Sequence, residues 1–265
     1  MSERKAILVT GSSHGIGAAT VIAFAKDGYD VGINYNKTPE GAQSVAEECR
    51  RYGVDAQIYQ CDVGRRDQCE RMLNAFINHF GRIDVLVNNA GGALKMPKGG
   101  FVDMPMDYWD EQIALNLNSA AYCSQLAARC MIEKGIHGSI INISSAHSLV
   151  TWVKRKALPY SAGKAGMNMF TKSIGVELIK YGINVNCIAP GLVYTKIMDR
   201  YSERDIRGFE RKIPAGRGGT VDDIVPMIQF LADKKKSSFI VGQTIFIDGG
   251  QSIDGVIDCM LEDEI

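Results

Sequence analysis

The sequence predicts a doubly wound α/β fold, with a seven-stranded parallel sheet flanked by helices. Three observations predict it. Short β-rich runs alternate with longer stretches of helical period, several runs are apolar almost throughout, and two long irregular segments each follow a strand. Parallel strands covered on both faces lose the in–out alternation and read as continuous apolar runs. Strand–helix alternation at this spacing makes each crossover a right-handed βαβ unit.

In chain order, residues 5–10 form the first strand and residues 15–27 the first helix. Strand 30–35, helix 39–52, strand 56–61 and helix 65–80 follow. Strand 83–88 precedes an irregular segment at 92–106, rich in Gly, Met and Pro, and then a helical pattern over 107–134. Residues 138–143 form the fifth strand and 159–181 a helix. Strand 183–188 leads into the second irregular segment, 190–216, before helix 221–233 and strand 243–247. Both irregular segments lie at the carboxyl edge of the sheet, where such folds bind ligands, and are read as substrate loops. No linker or internal repeat divides the chain, so residues 1–265 read as one domain with a tail at 253–265.

The chain is 46% hydrophobic and 23% charged, which suffices for a large core. Thirty Lys plus Arg balance thirty Asp plus Glu, so the basic footprint of a nucleic-acid binder is missing. No window approaches the roughly 18 consecutive apolar residues of a membrane helix. Met1 to Lys5 run straight into a strand and leave no room for a signal peptide. Seven Cys, an odd number scattered without C-x-x-C pairs, indicate neither a disulfide framework nor a zinc site. The expectation is a soluble cytoplasmic protein without nucleic-acid, membrane or metal partners.

Thr10-Gly11-Ser12-Ser13-His14-Gly15-Ile16-Gly17 joins the first strand to the first helix. Gly11 permits a tight turn, Gly15 lets the backbone approach a pyrophosphate, and Gly17 lets the helix pack closely on the sheet. The free N–H groups of the helix N-terminus then face the phosphates. The spacing is G-x-x-x-G-x-G rather than G-x-G-x-x-G, and its place on the first strand favours a dinucleotide site over a plain β–α turn.

With Asn88-Asn89-Ala90-Gly91 after the fourth strand and Tyr160-x-x-x-Lys164 on a helix, the chain resembles the short-chain dehydrogenase/reductases from Lys5 to about Gly250. Three motifs in one order, each placed correctly against strands and helices, make the resemblance specific. It implies a Rossmann-type domain and an NAD(P)-dependent enzyme that interconverts a secondary alcohol, or a sugar hydroxyl, and a carbonyl by hydride transfer. It also implies a homodimer or homotetramer.

Tyr160 and Lys164 stand at i and i+4 and project from one helix face. A free Tyr titrates near pH 10, too high for acid–base work at neutral pH, and a neighbouring ammonium favours the phenolate. The resemblance implies that Lys164 also hydrogen-bonds the nicotinamide ribose and relays the proton. It matches Ser145, the second of two adjacent serines, to the serine that polarises the substrate oxygen, although the Ser145–Tyr160 interval is two residues longer than usual. It matches Asn116, in Leu115-Asn116-Leu117, to the asparagine that holds a relay water. No metal is needed, because Tyr160 and Ser145 do that work.

For the cofactor, the resemblance adds to the turn residues Ser13, His14 and Ile16 the pair Asp62-Val63 at the adenine and Asn89-Ala90-Gly91 beside the turn. It matches Pro190 and Gly191 to the start of the cofactor-binding segment in which the backbone of Val193 and the hydroxyl of Thr195 hold the carboxamide. At the end of the second strand, where an NAD-preferring enzyme places an acid, stand Tyr35, Asn36 and Lys37. Nothing there repels a 2′-phosphate, and Lys37 and His14 suit one, so NADP(H) is favoured over NAD(H), with dual use open. His147 and Trp152 in the Ser145-Ala146-His147 stretch resemble glucose 1-dehydrogenases and suit a sugar or related polar substrate. The Lys154-Arg155-Lys156 triplet reads as a solvated surface or as a recognition loop for an anionic group. A 3-oxoacyl-carrier-protein reductase, a hydroxysteroid dehydrogenase and a non-catalytic nicotinamide-nucleotide sensor are the alternatives.

Overall fold

The computed structural model describes residues 4–94, 100–150, 158–196, 198 and 201–253. Seven parallel strands form one sheet: β1 (Ala6–Val9), β2 (Asp30–Tyr35), β3 (Ala56–Gln60), β4 (Val85–Asn88), β5 (Ser139–Ile143), β6 (Asn184–Pro190) and β7 (Thr244–Ile247). Their order is β3-β2-β1-β4-β5-β6-β7. β1 pairs with β2 on one side (Ile7 opposite Val31) and with β4 on the other (Ile7 opposite Val85). The chain therefore winds outwards in both directions from β1, and the carboxyl ends of β1 and β4 open a crevice between diverging crossovers.

Successive residues of β1 enter different cores, as a two-residue period requires. Ile7 and Val9 join Val31, Ile33, Val87 and Ile141 on one face, with Val21, Phe24 and Val45 from the helices covering it. Those helices are α1 (Gly15–Lys26) and α2 (Pro39–Arg50). Ala6 and Leu8 join Leu86, Ile140 and Val185 on the other face, under Leu73, Phe76 and Met131. Leu73 and Phe76 belong to α3 (Arg66–Phe80), which stops at Gly81 in the left-handed region.

The pattern over 107–134 is not a uniform α-helix. It comprises α4 (Met106–Ile113), a π-helical turn at Ala114–Asn118 and α5 (Ser119–Glu133). The apolar period runs through all three pieces, so it does not betray the extra residue of the π turn. The long α6 (Leu158–Leu178) ends in a 3₁₀ turn at Ile179–Tyr181.

The segment 190–216 is not wholly irregular. It contains α7 (Glu203–Glu210), started by a Ser202/Asp205 capping box. After it come α8 (Val221–Ala232) and the short α9 (Lys234–Ser237). Trp152, the Lys154–Lys156 triplet, residues 95–99 of the first loop and the tail from 254 lie outside the described residues.

A cavity of about 690 Å³ at the amino edge of the sheet is lined by Lys5, Arg82, Lys134 and Lys234, but its cations serve the fold. Arg82 binds Asp84 through two hydrogen bonds of 2.8 Å, and Lys234 donates to Gly182 O at 2.8 Å. The ends of α5 and α8 converge there, and cations suit the exposed carbonyls of helix C-termini. None of the residues matched to catalysis lies there.

Candidate active site

The opposite, carboxyl edge carries a continuous cavity of about 470 Å³, running from the turn after β1 to Gln251. In that turn Gly11 (φ 62°) and Gly15 (φ 59°) adopt left-handed conformations that other residues resist. A Cβ on Gly17 would lie 2.6 Å from Gly11 O, so α1 approaches the turn as closely as backbone allows. No side chain caps α1 and no acid stands in its first turn, so its N-terminal N–H groups and positive dipole end suit an anion. These features fit the pyrophosphate of a dinucleotide.

Asn34 and Asn89 pin the turn. Asn34 Oδ1 accepts from Gly11 N at 2.8 Å, while its Nδ2 donates to Tyr35 O, Tyr59 O and Cys61 O. Asn89 Nδ2 donates to Thr10 O at 2.9 Å and to Gly11 O at 3.1 Å. The expected contact residue Asn89 is thus committed to shaping the loop. Asn34 was not among the expected residues; its signal is a buried amide inside an otherwise apolar strand.

Three of the four residues matched to catalysis lie on the wall of this cavity, and the fourth, Asn116, is buried. Ser145, Tyr160 and Lys164 line the cavity, with Ser145 near enough to the Tyr160 phenol to draw its pKa down. Ser145 also caps a 3₁₀ turn by accepting from His147 N at 3.2 Å. The adjacent Ser144 also borders the cavity, but its Oγ is engaged, donating to Lys164 O at 3.0 Å. Geometry therefore separates the two serines. Lys164 is 2% exposed and donates from Nζ to Ile143 O at 2.7 Å, with Nζ 5.9 Å from the Tyr160 ring centroid.

Asn116 sits in the π turn, fully buried. Its side chain clasps the Gly92 peptide, accepting from N at 2.9 Å and donating to O at 3.1 Å, and donates also to Gln112 O at 3.0 Å. A Cβ on Gly91 would meet both Asn116 Oδ1 and Lys164 Nζ at 2.9 Å, so a glycine at 91 lets the three groups close up. Gln112, itself buried, is a second partner that sequence reasoning missed, one helical turn before Asn116.

Burial governs the titration of this group. It pushes the Tyr160 phenol above its ordinary value, while the neighbouring Ser145 pulls it down. It depresses Lys164 to about 8. The expected lowering of the phenol by Lys164 is not seen in the protein alone: burial dominates, and the influence that opposes it comes from Ser145. At neutral pH Tyr160 is protonated and Lys164 is mostly charged.

Along the cofactor side, Ser13, His14, Tyr35, Asn36, Asp62, Val63, Ala90, Gly91, Pro190, Gly191, Val193 and Thr195 all line the cavity. Lys37 is exposed and is not part of its wall. On the substrate side stand His147, Met198, Tyr201 and Phe209. The His147 and Tyr160 rings meet edge-on, 5.8 Å apart. Among the described residues no cluster of His, Cys, Asp and Glu is arranged to hold a metal.

A family model described as enoyl-(acyl carrier protein) reductase matches residues 11–252. The chain belongs to the short-chain dehydrogenase/reductase family. It is 36% identical to the Escherichia coli oxidoreductase YohF over 244 residues, 92% of this chain and 94% of that one. It is 36% identical over 250 residues to the Staphylococcus aureus 3-oxoacyl-[acyl-carrier-protein] reductase FabG, covering 94% of this chain and 99% of that protein. The crystal structure of acetoin dehydrogenase YohF from Salmonella typhimurium superposes with a TM-score of 0.86 at 34% identity, over 96% of this chain and 98% of that one. The chain is accordingly an oxidoreductase that acts on CH–OH groups with a nicotinamide cofactor.

Proposed function

We propose that residues 1–265 work as one catalytic domain that interconverts a secondary alcohol and a carbonyl on a small polar substrate, a hydroxyketone or a sugar. The observation that carries this reading is the grouping of Ser145, Tyr160 and Lys164 on the wall of the cavity that begins at the glycine turn. Bound in that cavity, the nicotinamide supplies or accepts the hydride. Tyr160, protonated at neutral pH, gives its proton to the carbonyl oxygen in reduction and takes it back in oxidation. Ser145 donates a hydrogen bond to the same oxygen and holds the carbonyl against the phenol. Lys164 holds positive charge behind the phenol and stabilises the phenolate left after proton transfer. Asn116 fixes the Gly92 peptide and the π turn around Lys164. His147, edge-on to Tyr160, offers a polar contact beside the reacting carbon, which favours a substrate with a second oxygen.

The cofactor proposed is NADP(H) in preference to NAD(H), with use of both retained. Tyr35 and Asn36 occupy the cavity wall at the end of β2, where the chain carries no acid for a ribose hydroxyl, and His14 lines the same cavity. Lys37 serves a 2′-phosphate only by reaching in from the rim. The second reading, a 3-oxoacyl-carrier-protein reductase, is supported by the likeness to the Staphylococcus enzyme.

A homodimer or homotetramer is proposed on the apolar face of α6, where Met169 is 63% and Val176 75% exposed, seven residues apart on one stripe. A cytoplasmic location is proposed because the six described cysteines are all free thiols. Turnover decides among substrates. Purified protein is assayed with acetoin, glucose and a 3-oxoacyl thioester, using NADPH or NADH for reduction and the oxidised forms for oxidation. Activity on the first two, lost in Tyr160→Phe, is expected; activity confined to the thioester favours the second reading, and turnover of none, with cofactor bound, favours a sensor.

A further inference from the structure

Tyr194 stands between Val193 and Thr195, two residues of the cofactor side of the cavity, yet its ring points away from that side into the following loop. Its hydroxyl donates to Glu210 Oε1 and accepts from Gly218 N at 3.0 Å. The ring has little freedom. A Cβ on Gly218 would lie 2.8 Å from Tyr194 Cζ, Tyr194 N donates to Gly219 O at 2.8 Å, and Val193 and Gly219 form a parallel bridge. What remains adjustable is the carboxylate at the far end of the hydrogen bond.

Glu210 is the last residue of α7, and the residue before it, Phe209, lines the substrate side of the cavity and packs edge-on against Tyr201 at 5.3 Å. No residue of α7 is fully buried. A helix with so little core packing takes its position from tethers at its ends, and its local opening costs little. At the other side of Tyr194, the Thr195 methyl lies 3.4 Å from where a Cβ on Gly15 would stand, beside the phosphate turn.

We propose that Tyr194 is a positioning residue that couples the two halves of the site: its hydroxyl ties the C-terminal end of α7 to the segment carrying Val193 and Thr195. A cofactor that orders that segment thereby orders α7 and seats Phe209 against the substrate. The activity arm of its test rests on the function proposed above; the binding arm does not.

Tyr194→Phe keeps the ring on Gly218 and removes only the hydroxyl. Glu210→Ala removes the acceptor and leaves the Gly218 contact, and Glu210→Gln retains an acceptor oxygen. Hydrogen exchange of the amides at 203–210 is measured with and without saturating NADPH or NADH, whichever binds. The expected result is slower exchange on cofactor addition in the native protein and in Glu210→Gln, with the slowing lost in Tyr194→Phe and Glu210→Ala. In turnover, those two variants raise KM for the carbonyl substrate about five- to tenfold with kcat nearly kept, as the net loss of one part-buried hydrogen bond of ordinary strength implies. The double variant is no worse than either single one. Cofactor-induced slowing that persists in both variants, or none in the native protein, overturns the proposal. If cofactor slows exchange as expected but no substrate turns over, the functional reading fails and the tether stands.

Discussion

Lys164→Met tests the physical basis of the site most sharply, because one substitution removes a charge that the fold holds at a cost. Lys164 is 2% exposed, and burial brings its ammonium from an ordinary 10.5 down to about 8. That difference corresponds to about 3 kcal/mol of destabilisation carried by the charged folded state. Methionine keeps the length of the chain and relieves this cost, but it leaves Ile143 O without the Nζ donor that stood at 2.7 Å. An orphaned buried acceptor costs about 1–3 kcal/mol, so the two effects nearly offset each other at pH 7. Their pH dependence separates them. Below the folded value of about 8, folded and unfolded native chains are both charged and the whole penalty is present. As pH rises through that value the folded state releases its proton while the unfolded chain keeps it up to 10.5, so the penalty is relieved. The native protein therefore gains about 1.4 kcal/mol on the Met variant between pH 7 and pH 9. Urea unfolding of both proteins at the two pH values measures this. A stability difference that stays constant across that window, or moves in the Met variant's favour, refutes a buried ammonium at this position.

Four further substitutions probe neighbouring parts. Ser145→Ala is expected to lower kcat by about 10²-fold or more with cofactor affinity unchanged, whereas Ser144→Ala lowers the melting temperature and spares most of the activity. Gly17→Ala places a methyl 2.6 Å from Gly11 O and from Asn89 Nδ2, and calorimetric titration is expected to show cofactor binding lost or greatly weakened. Asn34→Ala strips Gly11 N–H and three carbonyls of their shared partner; about 2–3 kcal/mol of stability should go in denaturant titration, together with cofactor affinity.

The sheet was legible because its strands are apolar on both faces; Ile7-Leu8-Val9 feeds two cores at once and has no other reading. Glycine turns and the Tyr160–Lys164 pair were legible for a different reason: backbone conformation and helical spacing restrict which residues serve there. The π turn around Asn116 was not, since an added residue leaves the apolar stripe nearly intact. Helix α7 was missed although Ser202 and Asp205 stand at capping-box spacing, because only eight residues follow and none is buried. Asn34 and Tyr194 act through partners distant in sequence, Gly11 for Asn34 and Glu210 for Tyr194, and the pairings themselves leave no local pattern. The direction of the Tyr160 shift depended on the balance of burial against the neighbouring Ser145, which only the folded geometry sets.

The most direct measurement of the central claim follows nicotinamide absorbance with acetoin and its diketone in both directions, for the native protein and for Tyr160→Phe. Turnover by the native protein, abolished in a variant that still binds cofactor with unchanged affinity, is the predicted result. Equal turnover by both proteins would contradict the assignment of Tyr160 as the proton donor.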